Sequence, residues 1–168
     1  MVSSIRMVAF MGRENNPLYI KNFESSSNKL KYHFLAHISL DVFSSRLLLN
    51  KSLDSDFGLL LVQDGMALYG WMTNTGIKIV LGFGSGEVIG SEIRSIFRAL
   101  HFAYISLVCN PFYTLDERKS ITSVKFDLNV SRVVNAWNGT MPLSNDDHSV
   151  ENVVMSYSNQ SISETVSS

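Results

Sequence analysis

The sequence has very little cysteine and little charge, and each shortage excludes classes of protein. Cys109 is the only cysteine among 168 residues, so no disulfide can form within the chain, and no Cys/His spacing matches a zinc site. A chain without disulfides is compatible with a reducing compartment. Charged residues make up 17% and the formal net charge is −1. This balance offers no electrostatic attraction for nucleic acid or an anionic membrane, so we expect no nucleic-acid partner.

Long apolar runs are also absent from the sequence. No stretch reaches the ~18 apolar residues of a transmembrane helix, and the run from Met7 to Met11 is too short for the core of a secretory signal. Val2 is expected to exclude N-myristoylation, and the ending Val166-Ser167-Ser168 to exclude prenylation. We expect no direct membrane insertion, so a partner protein would have to bring this chain to a membrane.

What the sequence does contain is a regular succession of apolar patterns. Its length and its 45% hydrophobic content favour one globular domain that folds without a metal or a disulfide. Hairpin links between most strands predict an α+β fold, with a largely antiparallel sheet covered by helices. The predicted elements are strands at 5–11 and 18–23, a helix at 29–50, strands at 57–62, 66–73 and 77–83, and helices at 91–108 and 120–137.

Each predicted helix has an apolar face that should lie against the sheet. Ser91 is the predicted N-cap of the second helix. The face of the first helix comprises Leu30, Phe34, Ile38 and Val42, with Leu35 beside them and Leu47 and Leu48 further on. The face of the second helix comprises Ile93, Ile96, Phe97, Leu100 and Tyr104. The third has two sides, with Ile121, Val124 and Leu128 on one and Phe126, Val130, Val133, Val134 and Trp137 on the other.

The composition changes after Trp137. From Asn138 onward Ser and Asn dominate, and single aliphatic residues show no sustained period. Such composition is typical of a segment that cannot bury a core of its own. We therefore predict a domain at 1–137 and a Ser/Asn-rich disordered tail at 138–168.

The motifs that suggest chemistry have simpler structural interpretations. In the glycine-rich segment 82–86, Glu87 stands where a dinucleotide-binding loop requires its third glycine, which favours a flexible connection. His33 and His37 lie one helical turn apart, but no third metal ligand is evident. Cys109 lies at a helix end beside apolar residues, which favours a packed side chain over a nucleophile. We expect no catalytic residue, no cofactor and no metal.

The segment Asn110-Pro111-Phe112-Tyr113 is a different kind of candidate. Asn110 tolerates the left-handed conformation that ends many helices, and Pro111 cannot continue a helix. The two aromatic residues that follow either enter the core or stand exposed as an anchor for a partner. The residues alone leave both alternatives open.

Several segments, in order along residues 5–135, resemble the sedlin family of small TRAPP subunits, and its subunit 2-like branch more than sedlin itself. The matching segments are Glu14-Asn15-Asn16-Pro17-Leu18-Tyr19-Ile20, His37-Ile38-Ser39-Leu40-Asp41-Val42, Tyr69-Gly70-Trp71-Met72-Thr73-Asn74, Glu92-Ile93-Arg94-Ser95-Ile96-Phe97-Arg98, Cys109-Asn110-Pro111-Phe112-Tyr113 and Ile121-x-Ser123-x-x-Phe126-Asp127-x-x-Val130. The chain departs from the family in a shorter loop at 63–65, a segment at 82–90 richer in glycine, and a tail without a counterpart.

The resemblance implies a longin-like (SNARE-like) fold: a five-stranded antiparallel sheet with one helix on one face and two on the other. It also implies a non-catalytic adaptor or assembly subunit of the TRAPP vesicle-tethering complex. That complex promotes nucleotide exchange on Rab GTPases in ER-to-Golgi and Golgi trafficking. The implied partners are other small TRAPP subunits and larger TRAPP-specific subunits, with a Rab GTPase reached only through the complex. The implied location is the cytoplasm, peripherally on Golgi and ER-Golgi membranes.

Two functions of other classes compete with this interpretation. A longin-domain SNARE shares the fold but needs a coiled coil and a membrane anchor after the domain, and residues 138–168 show neither pattern. Another longin-type trafficking adaptor is a related alternative. A small enzyme needs an acid/base or nucleophilic constellation, and the sequence shows none.

The candidate interface therefore comprises Asp41, Asn110, Pro111, Phe112 and Tyr113. Asp41 is expected at the edge of the buried face of the first helix, where its carboxylate either meets a partner or is simply solvated. Phe112 is expected to pack under the third helix, and Tyr113 to keep its hydroxyl toward solvent or a partner.

Overall fold

The computed structural model describes residues 3–24, 29–49, 55–84 and 90–139. Part of the glycine-rich segment, at 85–89, and the tail from residue 140 onward lie outside the described residues. The predicted disorder of the tail stays a prediction, because nearly all of the tail lies outside the described residues.

The described elements confirm the predicted α+β fold. The sheet has the strand order β2-β1-β5-β4-β3, and every neighbouring pair is antiparallel. Helix α1 packs on one face, and α2 and α3 pack on the other. In chain order the elements are β1 (Ile5–Met11), β2 (Pro17–Asn22), α1 (Lys29–Leu49), β3 (Asp56–Gln63), β4 (Met66–Met72), β5 (Lys78–Phe83), α2 (Gly90–Val108) and α3 (Val124–Gly139).

The hairpin between β3 and β4 turns at Asp64-Gly65, as predicted. Both residues have positive φ, 53° at Asp64 and 72° at Gly65. A two-residue turn with positive φ at both positions matches the right-handed twist of the strands that it joins. The sequence signal was sufficient here because the geometry of such a turn depends on the turn residues themselves.

The core lies on both sides of the central strands β1 and β5. Side chains alternate along these strands, so each strand supplies residues to both faces. The cluster under α2 and α3 includes Val8, Phe10, Ile79 and Leu81. The cluster under α1 includes Met7, Ala9, Met11 and Val80.

The predicted buried face of α1 is wrong except at Leu35, which is buried. Leu30 and Phe34 are exposed, at 78% and 54%, and Ile38 and Val42 are only partly buried. The residues that lie against the sheet are Tyr32, Leu35, Ala36, Ser39, Leu40 and Phe43.

Helix α1 is thus rotated about its axis relative to the prediction. The cause is a close approach between α1 and β4. A Cβ atom at Gly70 would lie 2.6 Å from Cζ of Phe43, so Phe43 reaches the sheet where the strand has no side chain. The ring of Phe43 also packs on that of Phe57, with 4.7 Å between centroids. Small residues at Ala36 and Ser39 let the helix lie close to the strands, and the Ser39 hydroxyl donates a hydrogen bond to the backbone oxygen of Ala36 (2.6 Å).

Helix α2 agrees with its prediction except at its first turn. All five residues of its predicted face are buried. The N-cap assignment of Ser91 is wrong, because the helix already includes Gly90 and Ser91 lies in the first turn. The predicted stop at Asn110-Pro111 is confirmed, since the helix ends at Val108.

Helix α3 begins four residues later than predicted. Ser123 precedes its first turn, and the Ser123 hydroxyl accepts a hydrogen bond from the backbone N–H of Phe126 (3.3 Å), as an N-cap does. Ile121 lies before the helix, and its N–H donates to the backbone oxygen of Leu18 (2.7 Å). The predicted side that runs from Phe126 to Trp137 is buried. On the other predicted side, Val124 and Leu128 are exposed.

A charged cluster holds α3 to the edge strand β2. Asp127 accepts hydrogen bonds from the Tyr19 hydroxyl (2.7 Å) and from Nζ of Lys21 (2.7 Å). Lys21 also donates to the Ser131 hydroxyl (2.9 Å). The Lys21 and Tyr19 hydrogen bonds hold the pKa of Asp127 below its usual value against the opposing effect of burial. Burial and the bond to Asp127 raise the pKa of Tyr19 far above its usual value.

The last turn of α3 is tied to the first residue of β1. The Asn138 side-chain amide accepts from the backbone N–H of Ile5 (2.8 Å) and donates to the backbone oxygen of Ile5 (3.1 Å). The neighbouring Trp137 donates its indole N–H to the backbone oxygen of Ser3 (3.0 Å). The helix thus runs to Gly139, and Asn138, which the sequence placed in the tail, holds part of the fold together.

Asp127→Asn should lower the free energy of unfolding by about 1 kcal/mol at neutral pH. Hydrogen bonds to a charged group contribute ~1.5–3 kcal/mol, but the carboxylate is 42% exposed, so solvent reduces this value. Because its folded-state pKa is depressed, the contribution is complete above the unfolded pKa of ~3.9 and is lost as pH falls through the folded value. Urea titrations at several pH values should therefore show the two proteins converging in acid. Asp41→Asn, at an exposed carboxylate, is the control, and an unchanged difference at low pH would contradict the assignment.

Asn138→Ala should lower the free energy of unfolding by ~1–3 kcal/mol, because it leaves the backbone N–H and oxygen of Ile5 without their side-chain partner. Asn135→Ala, at an exposed position one turn earlier in α3, is the matched control and should cost less than ~0.5 kcal/mol. Thermal unfolding followed by circular dichroism measures both. Equal effects of the two substitutions would show that the Asn138 contact does not stabilise the domain.

Candidate protein-interaction surfaces

The described residues contain no constellation that suggests a metal site. Within them, no group of three or more His, Cys, Asp or Glu side chains is placed to hold a metal ion. His33 and His37 are both exposed on α1. Cys109 is exposed as well, so its interpretation as a packed side chain is wrong. Over the same part of the chain, no helix combines the length and the apolar character needed to cross a membrane.

The side of α1 that faces away from the sheet carries several large apolar residues. We call this surface the α1 outer stripe and define it as Leu30, Phe34, His37, Asp41 and Leu48. These residues recur at i, i+4, i+7, i+11 and i+18, a spacing that places them along one side of a helix. Leu48 is 86% exposed and Leu30 is 78% exposed. The stripe therefore presents apolar side chains at both ends of the helix and polar ones between them.

Asp41 lies near the middle of the outer stripe, not at the edge of the buried face as predicted. The reason is the rotation of α1: once Leu40 faces the sheet, the next residue points outward. Asp41 is exposed, and its backbone oxygen accepts a hydrogen bond from the Ser45 hydroxyl (2.8 Å). A carboxylate flanked by Phe34 and Leu48 along a helix can orient a partner while the apolar residues contribute contact area.

Asn110 shapes the turn after α2, but not by the expected means. Among non-glycine residues of the described chain, positive φ occurs at Asn15 and Asp64, so Asn110 does not adopt the left-handed conformation. Its side-chain oxygen accepts a hydrogen bond from the N–H of Phe112 (3.0 Å), and its backbone oxygen accepts from the N–H of Tyr113 (3.0 Å). These two bonds and the fixed φ of Pro111 make the turn rigid.

The predicted roles of Phe112 and Tyr113 are reversed in the structure. Phe112 is 94% exposed, whereas Tyr113 is partly buried and packs against the core under α2 and α3. Burial raises the pKa of the Tyr113 hydroxyl. The turn closes over Asn110 and directs the second aromatic residue inward, so the first one points to solvent.

The five candidate residues do not form one site. Asp41 belongs to α1 on one face of the sheet, and the segment 110–113 follows α2 on the other face. The sequence missed Leu30, Phe34 and Leu48 as surface residues. The signal for them was that α1 has apolar residues on two sides, while a single face of the sheet can bury only one of them.

The edge strand β3 is less open to a partner than a bare sheet edge. The Arg46 guanidinium, from the last turn of α1, donates hydrogen bonds to the backbone oxygens of Phe57 and of Leu59, the latter at 2.6 Å. Pairing with an exposed edge is a common mode of peptide recognition. Because Arg46 already occupies these two acceptors, the outer stripe of α1 is a better candidate for docking than this part of the edge.

Comparison with solved structures supports the fold. A chain in a homology model of the full-length AP-3 complex in a stretched open conformation has a TM-score of 0.52, with 96% of each chain covered. Its sequence identity is 14%, so the likeness shows a shared longin-like fold and nothing about activity.

Comparison of sequences shows the family. The protein-family model described as Sedlin matches residues 10–136. A trafficking protein particle complex subunit 2-like protein of Dictyostelium discoideum is 36% identical over 139 residues, covering 79% of this chain and 98% of the relative. The protein of the same name from Bos taurus is 38% identical over 127 residues, covering 71% and 89%. The chain therefore belongs to the Sedlin family.

Proposed function

We propose that this protein is a non-catalytic adaptor subunit of the TRAPP vesicle-tethering complex. Relatives that match most of the chain carry the name trafficking protein particle complex subunit 2-like. In this proposal the chain binds other small TRAPP subunits and larger TRAPP-specific subunits. It supports nucleotide exchange on a Rab GTPase only through the assembled complex, in ER-to-Golgi and Golgi trafficking. It is cytoplasmic and reaches Golgi and ER-Golgi membranes through the complex.

The observation that carries the proposal is the exposed outer stripe of α1. Covering an exposed Leu or Phe side chain stabilises an association by up to ~1.5–3 kcal/mol per residue. Contact with Leu30, Phe34 and Leu48 would therefore offset a substantial part of the entropic cost of binding. An exposed apolar stripe of this kind favours a role in assembly with other proteins over a catalytic role.

The shape of the stripe favours a helical or grooved partner. Leu30 and Leu48 are separated by about 27 Å along the helix axis at 1.5 Å per residue. A second helix or the wall of a groove can follow this length and cover apolar residues at both ends. Asp41 lies between them, where a basic side chain or a free backbone N–H of the partner would meet its carboxylate.

Asp41→Tyr should weaken assembly without affecting the fold. The side chain is exposed, so the melting temperature should stay within about 1 °C, corresponding to less than ~0.5 kcal/mol. Loss of the charge and the added ring should disrupt a closely packed contact, because breaking a desolvated charged pair costs ~2–5 kcal/mol. Affinity purification from native extract, with the TRAPP subunits quantified by mass spectrometry, measures the effect.

Glu14→Tyr is the matched control, because Glu14 is an exposed carboxylate in the β1–β2 hairpin. Full TRAPP recovery with both variants would show that Asp41 is only a solvated charge. If the wild-type protein recovered no TRAPP subunit, and ran only as a small species in size exclusion of the extract, the proposed function itself would be wrong.

Phe112→Ala and Tyr113→Ala should have opposite effects. Because Phe112 is 94% exposed, its truncation should leave the melting temperature nearly unchanged, and any loss should appear in assembly. Tyr113 packs on the core, so its truncation should lower the free energy of unfolding by ~1–3 kcal/mol. Thermal unfolding measures the loss of stability in each variant, and the affinity purification measures the loss of assembly. A large stability loss for Phe112→Ala would contradict the rigid, outward turn.

A further inference from the structure

The outer surface of the two-helix layer carries an apolar patch that the core does not use. The end of α2 and the start of α3 meet over the ring of Phe10, which lies 5.9 Å from Tyr104 of α2 and 5.2 Å from Phe126 of α3 between ring centroids. Near this meeting point, four large apolar side chains of the helices and their connection are exposed among polar ones. The exposed residues are Ile105, Phe112, Val124 and Leu128, and we call them the α2–α3 patch.

The α3 part of this patch is flanked by basic residues. Lys125 and Arg132 are exposed and lie three and four residues from Leu128, so all three share the outward side of α3. The one acidic residue of α3, Asp127, is engaged by Tyr19 and Lys21 of β2 and is not on this side. An occupant of the patch should therefore combine apolar side chains with negative charge.

The segment that follows α3 in the same chain has this composition. Residues 140–168 contain no Lys or Arg, and they contain four of the 15 acidic residues, namely Asp146, Asp147, Glu151 and Glu164. The net charge of −1 therefore divides into −4 for this segment and +3 for residues 1–139.

The same segment contains a short apolar pattern next to its acidic residues. Val150, Val153, Val154 and Tyr157 recur at i, i+3, i+4 and i+7, the spacing of one side of a helix. Residues Asp146, Asp147 and Glu151 precede or interrupt this run.

The length of the chain permits a return along α3. Leu128 lies eleven residues before Gly139, which is about 17 Å along the helix axis. Residues 140–149 span up to roughly 33 Å when extended, which is enough to bring Val150 back beside Leu128. Residues 150–157 would then be within reach of Val124, four residues before Leu128.

We propose that the acidic segment 146–157 docks in cis on the α2–α3 patch, with its valines and Tyr157 on the apolar residues and its carboxylates beside Lys125 and Arg132. Because the effective concentration of a tethered segment reaches the millimolar range, an intrinsic Kd of about 1 mM suffices for half occupancy. The inference concerns the face opposite the α1 outer stripe and does not rest on the proposed function.

The single exposed cysteine makes the contact measurable in the full-length chain. Cys109 lies one turn after Ile105, its N–H bonded to the backbone oxygen of Ile105 (2.8 Å), so a nitroxide label there reports on the patch. In the ¹⁵N-labelled protein we expect the amide signals of residues 150–157 to lose intensity at least about twofold more than with a label on the opposite face. That control carries Cys109→Ser and Ser45→Cys, which places the label on α1.

A second variant tests the charge pairing. Asp146→Asn, Asp147→Asn and Glu151→Gln together should remove the selective broadening from the Cys109 label. About 1 M salt should do the same, because the Debye length then falls to ~3 Å. These substitutions lie outside the folded domain as described, so the amide spectrum of residues 3–139 reports separately whether the fold is retained.

Three results would overturn the proposal. Equal broadening from the label on Cys109 and from the control label on α1 would mean that the segment has no preferred face. Broadening that survives both neutralisation and high salt would exclude the acidic contact with Lys125 and Arg132. Broadening in a mixture of spin-labelled unenriched chain with unlabelled ¹⁵N-enriched chain would assign the patch to a second copy rather than to the segment in cis.

Discussion

The structure depends on the antiparallel pairing of β1 with β5, two central strands with apolar side chains on both faces. All of β5 is buried, as is nearly all of β1. A sheet with a two-sided apolar centre needs a helical layer on each face, because water on either side would leave large residues such as Phe10 and Met7 exposed. The one-plus-two arrangement of helices is the consequence. It also means that both faces of the described sheet are covered at its centre, so recognition has to use helices, turns or edges.

The number of helices on each face of the sheet explains where exposed apolar residues remain. A single helix, α1, covers one face, and its position is set by the contact of Phe43 with Gly70. That contact selects which of the two apolar sides of the helix is buried, and it leaves Leu30, Phe34 and Leu48 exposed. On the other face two helices share the cover, and α3 is held at both ends, by Asp127 to β2 and by Asn138 to β1. The apolar surface left over there lies where α2 and α3 meet.

The exposed apolar residues of the α1 outer stripe and of the α2–α3 patch have the same physical origin. In each case the sheet can accept one side of a helix, and the sequence supplies apolar residues on a second side. Such residues lower solubility and do not stabilise the monomer, so they are best explained by contact with other chain segments. The two surfaces lie on opposite faces and can engage different occupants at the same time, which suits a subunit placed between neighbours in a larger assembly.

Local chemistry was enough to predict the strands, the Asp64-Gly65 turn, the end of α2 and the buried face of α2. In each of these the deciding forces act within a few residues, through backbone conformation or one dominant apolar stripe. The sequence alone did not determine which side of α1 is buried, because two apolar stripes compete and only the gap above Gly70 in β4 selects between them. Nor did it determine which aromatic residue of the Asn110 turn points inward. That depends on hydrogen bonds that close the turn and on the core that receives Tyr113. Asn138 was misplaced for the same reason: its role lies in a contact with Ile5, distant in sequence, that only the packing of α3 against β1 creates.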